Sequence, residues 1–201
     1  LDIIWMHLWP NAYKNNSTAL VQQMVQENNF DLYYADSCDR GYINNLNFHV
    51  NNQKVAWEFH HKHIDICKII LNKPIKPGTT ISIQTPFVVK IPHAKFSRLG
   101  HIGQSYMITQ WYPNPAVYDT KGWHIMPYLN QGEFFSEYGS FDVSIKLPKN
   151  YTVAATGELK NEQETLRLDS IANITKNKKF FSNNMGFPKS SSQNKTLRYL
   201  E

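Results

Sequence analysis

The 201-residue sequence is poor in several things, and each shortage narrows the reading. Cysteine occurs only twice, as Cys38 in a polar, turn-like stretch and Cys67 in a largely apolar run. Two cysteines permit one disulfide but do not indicate it, so the redox compartment stays open. Cys67 is expected to be a small core residue. No apolar run is long enough to span a bilayer. Charge of one sign is never concentrated. The formal net charge is +5 and the pI about 9.1, yet lysine and arginine are scattered. Nucleic-acid binding wants a basic face on a recognisable module, and neither is present, so a solvated surface is expected. There is no internal repeat and no phosphate loop, because no lysine and Ser/Thr follow the glycines around His101. No signal peptide is visible and the sequence does not begin with Met, so it reads as a piece of a longer protein. The closing Leu200-Glu201 pair could be an expression-vector remnant.

What the sequence does have is aromatic residues and alternation. The block 106–157 opens on a strand-like run and passes through a Pro- and Gly-punctuated loop. That loop carries Trp111, Tyr112, Tyr118, Trp123, Tyr128, Phe134, Phe135 and Tyr138. A floppy linker would not hold so many large rings, since each is costly in water. Long ordered loops in compact domains usually bind something or form an interface. The block closes on strict alternation, with Phe141, Val143, Ile145 and Leu147 on one face and Asp142, Ser144 and Lys146 on the other. Such alternation is the pattern of a half-buried antiparallel strand.

Elsewhere the β signals come almost without pause. A first strand over 1–9 has apolar residues on both faces, which suggests burial on both sides or an end of sheet covered by a loop. Asn16 or Ser17 can cap a helix over 18–28 with Leu20, Val21, Met24 and Val25 as its buried stripe. This is expected to be the only substantial helix. Strands over 42–50 and 53–59 flank Asn51-Asn52, a hairpin pair that tolerates positive φ. Further strands are expected over 64–71, 79–91, 151–156, 166–174 and 195–199, with a Pro/Gly turn at 73–78. The polar stretch 176–193 reads as a mobile surface loop. The pattern predicts an all-β fold, mainly an antiparallel β-sandwich or saddle-like sheet, with one short helix.

The motifs Thr109-Gln110-Trp111-Tyr112-Pro113 and 131–148 (QGEFFSEYGSFDVSIKLP) resemble the N-terminal domain of zinc metallopeptidases of family M-one. These are the gluzincins that include aminopeptidase N and the leukotriene hydrolase. The likeness is closest to a bacterial branch, and it extends more weakly to the flanks. It implies a single saddle-like N-terminal β domain over 1–199, packed on a catalytic domain outside this sequence. A secreted or periplasmic parent is implied by the resemblance alone. Zinc is expected in the parent's catalytic domain, with no cofactor in this piece. The family's H-E-x-x-H helix places two imidazoles on one face with a glutamate as general base. The sequence contains no such motif, so this piece is expected not to hydrolyse peptides alone.

The resemblance also marks Gln110, Trp111 and Tyr112 as substrate-binding candidates, since this stretch lines the active-site cleft in relatives. The Gln matching Gln110 helps bind the substrate's first residue there. At Tyr112 relatives commonly carry a glutamate that binds the free α-amine, or a glutamine. A phenol lacks that charge-assisted bond, which puts strict aminopeptidase specificity in question. Gln110 reads equally well as a strand residue bonded to a neighbouring loop.

Other candidates are weaker. His60, His61 and His63 are the densest imidazole cluster, and His61 and His63 would share a strand face that could suit a metal, but no carboxylate or cysteine with ligand spacing supports a closed site, so they read as a polar hairpin tip. One of His93, His101 and His124 could reach a substrate, but partly buried rings bonded to backbone carbonyls are expected. Glu133 and Glu137 flank Phe134-Phe135 and are expected to bond turn backbone, since their spacing fixes no facing geometry for paired-carboxylate catalysis. The rival to the peptidase reading is a stand-alone β-sandwich binding module for carbohydrate or protein, using the same aromatics as a platform.

Overall fold

The structure is a computed structural model that describes residues 1–132, 134–176 and 190–201. It is mainly β, with antiparallel pairing throughout the named strands. In chain order the strands are β1 (Ile3–His7), β2 (Tyr42–Asn44), β3 (His49–Val50), β4 (Gln53–Lys54), β5 (Ala56–Phe59) and β6 (Ile66–Ile70). They continue with β7 (Ile83–Gln84), β8 (Val88–Lys90), β9 (Gly100–Ile102), β10 (Ser105–Met107), β11 (Asn114–Pro115), β12 (Val117–Asp119) and β13 (Gly122–His124). The last three are β14 (Asp142–Pro148), β15 (Glu158–Leu159) and β16 (Asn194–Leu200). Two α-helices occur, α1 (Ala19–Gln26) and α2 (Glu162–Lys176), with a 3-10 helix at Trp9–Tyr13.

The chain gathers into two compact units, Leu1–Glu137 and Tyr138–Glu201. In the first, the principal sheet has the order β11-β1-β6-β5. The β1 and β6 ladder runs from Ile3 opposite Ile70 to His7 opposite Ile66. Short ladders β4-β3-β7, β2-β8, β9-β10 and β12-β13 complete it. Asn51 and Asn52 sit at φ 48° and 64° in the β3–β4 turn, as the hairpin reading requires. Two apolar clusters form. One joins Ile4, Met6, Leu8, Phe48 and Ile69; the other joins Trp9, Tyr13, α1's Leu20 and Met24, Leu32 and Tyr128. Thr18, rather than Asn16 or Ser17, caps α1, accepting from the Val21 N–H at 3.5 Å while its hydroxyl donates to Ala12 O at 2.7 Å.

The second unit is a three-stranded sheet, β14-β16-β15, with α2. Val143, Ile145 and Leu147 of β14 are half-buried while Asp142, Ser144 and Lys146 are exposed, as the alternation predicts. Leu200 is a ladder residue opposite Asp142, and the Glu201 N–H donates to Phe141 O at 3.0 Å. Two expectations fail here. The stretch 166–174 is helical, so α1 is not the only helix. Acidic Glu162 and Glu164 in its first turn and Lys176 in its last complement the helix dipole. The Glu164–Arg167 pair supports the same turn. The stretch 151–156 forms no strand; it leaves β14 through a turn in which the Tyr151 N–H donates to Pro148 O at 3.1 Å. In the first unit the expected strands over 42–50, 53–59 and 79–91 are each split, into β2 and β3, β4 and β5, and β7 and β8. The surface-loop expectation for 176–193 falls largely outside the described residues.

The aromatic loop divides. Tyr128 is 1% exposed, and Trp123 and Phe134 pack against the apolar clusters, so much of the expected aromatic surface is core. Tyr118, Phe135 and Tyr138 remain exposed.

Candidate functional site

A buried polar frame holds the loop that follows the candidate residues. The Tyr128 N–H donates to Asp65 Oδ2 at 2.6 Å, and the Tyr13 and Tyr128 hydroxyls lie 3.1 Å apart. Asn11 accepts from the Ile43 N–H and donates to Ile64 O. The Met126 N–H donates to His7 Nε2 at 3.3 Å. Burial lowers the His7 pKa to about 4, so the ring is neutral and its proton sits on Nδ1, which has no partner. Burial also pushes the Asp65 carboxyl upward, against the Tyr128 N–H that favours its charge.

Ladders and a side-chain bond hold both ends of the 109–113 stretch. Upstream is the β9–β10 hairpin, where Gly100 passes so close to Ala94 that a Cβ would lie 2.4 Å from its Cα. Downstream, β11 pairs with β1, placing Asn114 opposite His7. The Thr109 hydroxyl donates to Arg98 O at 3.2 Å.

Between these anchors Gln110 adopts φ 50°. The other non-glycine residues with positive φ among those described are all asparagines, which tolerate the left-handed region. Gln110 is a longer side chain held in a strained conformation, and such residues cluster at functional sites. Its Oε1 is buried with no hydrogen-bond partner, so it is an acceptor without a donor. The strand conformation expected for Gln110 is therefore absent. Trp111 and Tyr112 are half-buried. The Trp111 ring lies 5.7 Å from Phe87 and 5.5 Å from Tyr112, forming a row of three rings beside Gln110. Phe87 joins this row across 23 intervening residues, a partnership that no local pattern announces.

The remaining candidates separate from this site. His60, His61 and His63 lie at the turn between β5 and β6, with the His60 Nδ1 accepting from the Lys62 and His63 N–H groups. Among the described residues no three His, Cys, Asp or Glu side chains are gathered as metal ligands. His93 Nδ1 accepts from the Lys95 N–H at 3.1 Å, a backbone donor rather than a carbonyl. His101 stacks on Tyr106 with ring centres 5.5 Å apart, and its Nδ1 is buried without a partner. His124 Nε2 lies 2.9 Å from Asp119 Oδ2, and with the Lys121 N–H it holds that carboxyl below its usual range. Glu137 is exposed, and Glu133 lies outside the described residues. Cys38 is exposed and Cys67 buried, both as free thiols, and burial pushes the Cys67 thiol up to about 12. Among the described residues no helix is long and apolar enough to cross a membrane.

No family model, curated protein or solved structure matches the chain.

Proposed function

We propose that this chain is the non-catalytic N-terminal domain of an M-one-like zinc metallopeptidase, packed on a catalytic domain and lining its substrate cleft. The observation that carries the reading is one continuous stretch. Ile102, Tyr106, Met107 and Ile108 are 62%, 48%, 60% and 51% exposed, and they lead directly to strained Gln110 with its unpartnered acceptor. An exposed apolar strip beside a buried polar group suits an interdomain surface at the edge of a binding cleft. The unpartnered Oε1 of Gln110 would accept an N–H from the substrate's first residue, and the Phe87, Trp111 and Tyr112 rings would line its side. Among the described residues no three potential zinc ligands are gathered; in this reading the metal is held by the parent's catalytic domain. There it would polarise the scissile carbonyl and activate water.

The gene downstream of this sequence provides the first test: an H-E-x-x-H region must follow. In the intact parent, Tyr112→Glu should raise the preference for free-amine over amine-blocked peptides by about tenfold, through a charge-assisted bond. An unchanged preference would remove Tyr112 from the amine site. Saturable glycan binding by the chain alone, at rings that include Tyr118 and Phe135, would favour the binding-module reading instead.

A further inference from the structure

The segment after α1 forms a second surface, built differently. It begins at Asn28, in the left-handed region at φ 60°, and turns through 31–34. Leu32 is completely buried in the apolar cluster below α1, and Ala35 packs against the same cluster. That anchor turns the flanking rings outward. Phe30, Tyr33 and Tyr34 are 43%, 40% and 76% exposed. They are not loose. The Tyr34 N–H donates to Phe30 O at 3.0 Å, and Arg40 donates to Tyr33 O at 3.1 Å and Ala35 O at 3.2 Å. The rings also hold one another. Tyr33 and Tyr34 meet edge to face at 5.0 Å and 84°, and Phe30 lies 6.2 Å from Tyr34.

The charge around these rings is unbalanced in one direction. Nearby cations are engaged: Arg40 on backbone carbonyls and Asn16, Lys90 on Ser37 O at 2.6 Å, and Lys95 on Asp39 at 2.9 Å. Asp31 and Asp36 are exposed and make no ion pair with the described residues. Both lie close enough to Lys95 to act on its ammonium, behind the dominant Asp39 contact. Two spare carboxylates thus border three exposed rings, on a chain whose net charge is +5. Ring faces are electron-rich and attract cations, while carboxylates supply charge and hydrogen-bond acceptors. The long-range field of the chain opposes a cation, so recognition here would be short-ranged and local.

We infer that the Phe30, Tyr33 and Tyr34 platform, bordered by Asp31 and Asp36, docks a lysine- or arginine-bearing segment of a partner protein. The basic side chain lies on the Tyr34 ring with its charged end at the carboxylates. Preorganisation by Leu32 and Arg40 means that little ordering cost falls on this side of the contact.

The test is calorimetric titration of the 201-residue chain with a short capped peptide alternating lysine and glycine. Saturable binding with a dissociation constant below about 1 mM is expected, weakening as salt rises. Tyr34→Ala should weaken it about tenfold, whereas Tyr34→Phe keeps the ring and the affinity. Asp31→Asn with Asp36→Asn should weaken binding and remove most of its salt dependence. These side chains are exposed, so circular dichroism of the variants should match the parent chain. The inference is overturned if the lysine peptide fails to saturate, or if a glutamate–glycine peptide binds equally well. It is overturned too if the variants bind as the parent does, or if oligosaccharides bind this surface and the lysine peptide does not.

Discussion

The two compact units hold themselves together by different means. The first buries two apolar clusters and places polar groups inside them: His7, Asn11 and Asp65 are all essentially inaccessible. Each bonds backbone of a distant segment, with only the His7 Nδ1 left over, so the polar groups specify which loops meet. The second unit has little interior. Among its described residues only Glu164, Leu197 and Tyr199 are buried. Its specificity rests on a seven-residue ladder and on charge: Glu164 between Arg167 and Lys195, and Asp142 paired twice with Arg198. Burial dominates one unit and pairing the other, so acid, truncation and strain should act on them differently.

The largest contrast should come from truncating cores. Ile69→Ala, in the principal sheet and fully buried, should cost about 4 kcal/mol, read by denaturant unfolding. Val143→Ala, on a half-buried strand, should cost about 1 kcal/mol. Equal costs would erase the distinction.

Acid should separate the units by pH window. The His7 pKa is lowered from 6.5 to about 4, so the unfolded chain binds a proton across that interval and the folded chain does not. Stability from this residue is therefore full above pH 6.5 and falls on acidification to about 4, by on the order of 3 kcal/mol. Asp65, with its raised pKa, acts with the opposite sign, so a substitution is needed to isolate His7. His7→Gln keeps an acceptor for the Met126 N–H and should flatten stability across that window. In the second unit, Arg167 and then Lys195 hold the Glu164 carboxyl below its usual 4.5. Its contribution is present above that value and is lost as pH falls through the lower folded pKa. Glu164→Gln should cost about 1 kcal/mol at neutral pH and nothing at the acid end, followed by urea unfolding.

The smallest effect isolates strain at the candidate site. Gln110→Gly removes the left-handed penalty and should raise stability by up to about 1 kcal/mol, offset by added chain entropy. In the intact parent the same change should weaken peptide binding. A gain in both would mean that Gln110 is not held in place for a ligand.

Local features of this fold were readable, and distant ones were not. The alternation from Phe141 to Leu147 announces β14, and Asn51-Asn52 announces its hairpin, because both depend on neighbours along the chain. The α2 helix was hidden because Leu166 and Leu168 mimic a strand period; the signals against it were the charges at its two ends. Tyr128 sits in an aromatic loop that reads as partly exposed surface, and only Asp65 and Tyr13, brought in from far away, make it core. At the site, Thr109 to Tyr112 could be named from their resemblance. The backbone of Gln110 could not, since no pattern of side chains encodes a positive φ in a glutamine. Phe87 and the Phe30–Tyr34 platform likewise needed tertiary placement to become visible.

The outer edge of β14 bonds to no other named strand among the described residues, so its outward backbone groups have no strand partner there. Such an edge is a template for another chain. Lys146 near its middle and Pro148 at its end discourage that, one by charge and one by a missing N–H. A concentrated solution of the chain should therefore stay free of self-association while Lys146 is charged. Replacing it with valine should turn the smaller unit into a nucleus for aggregation.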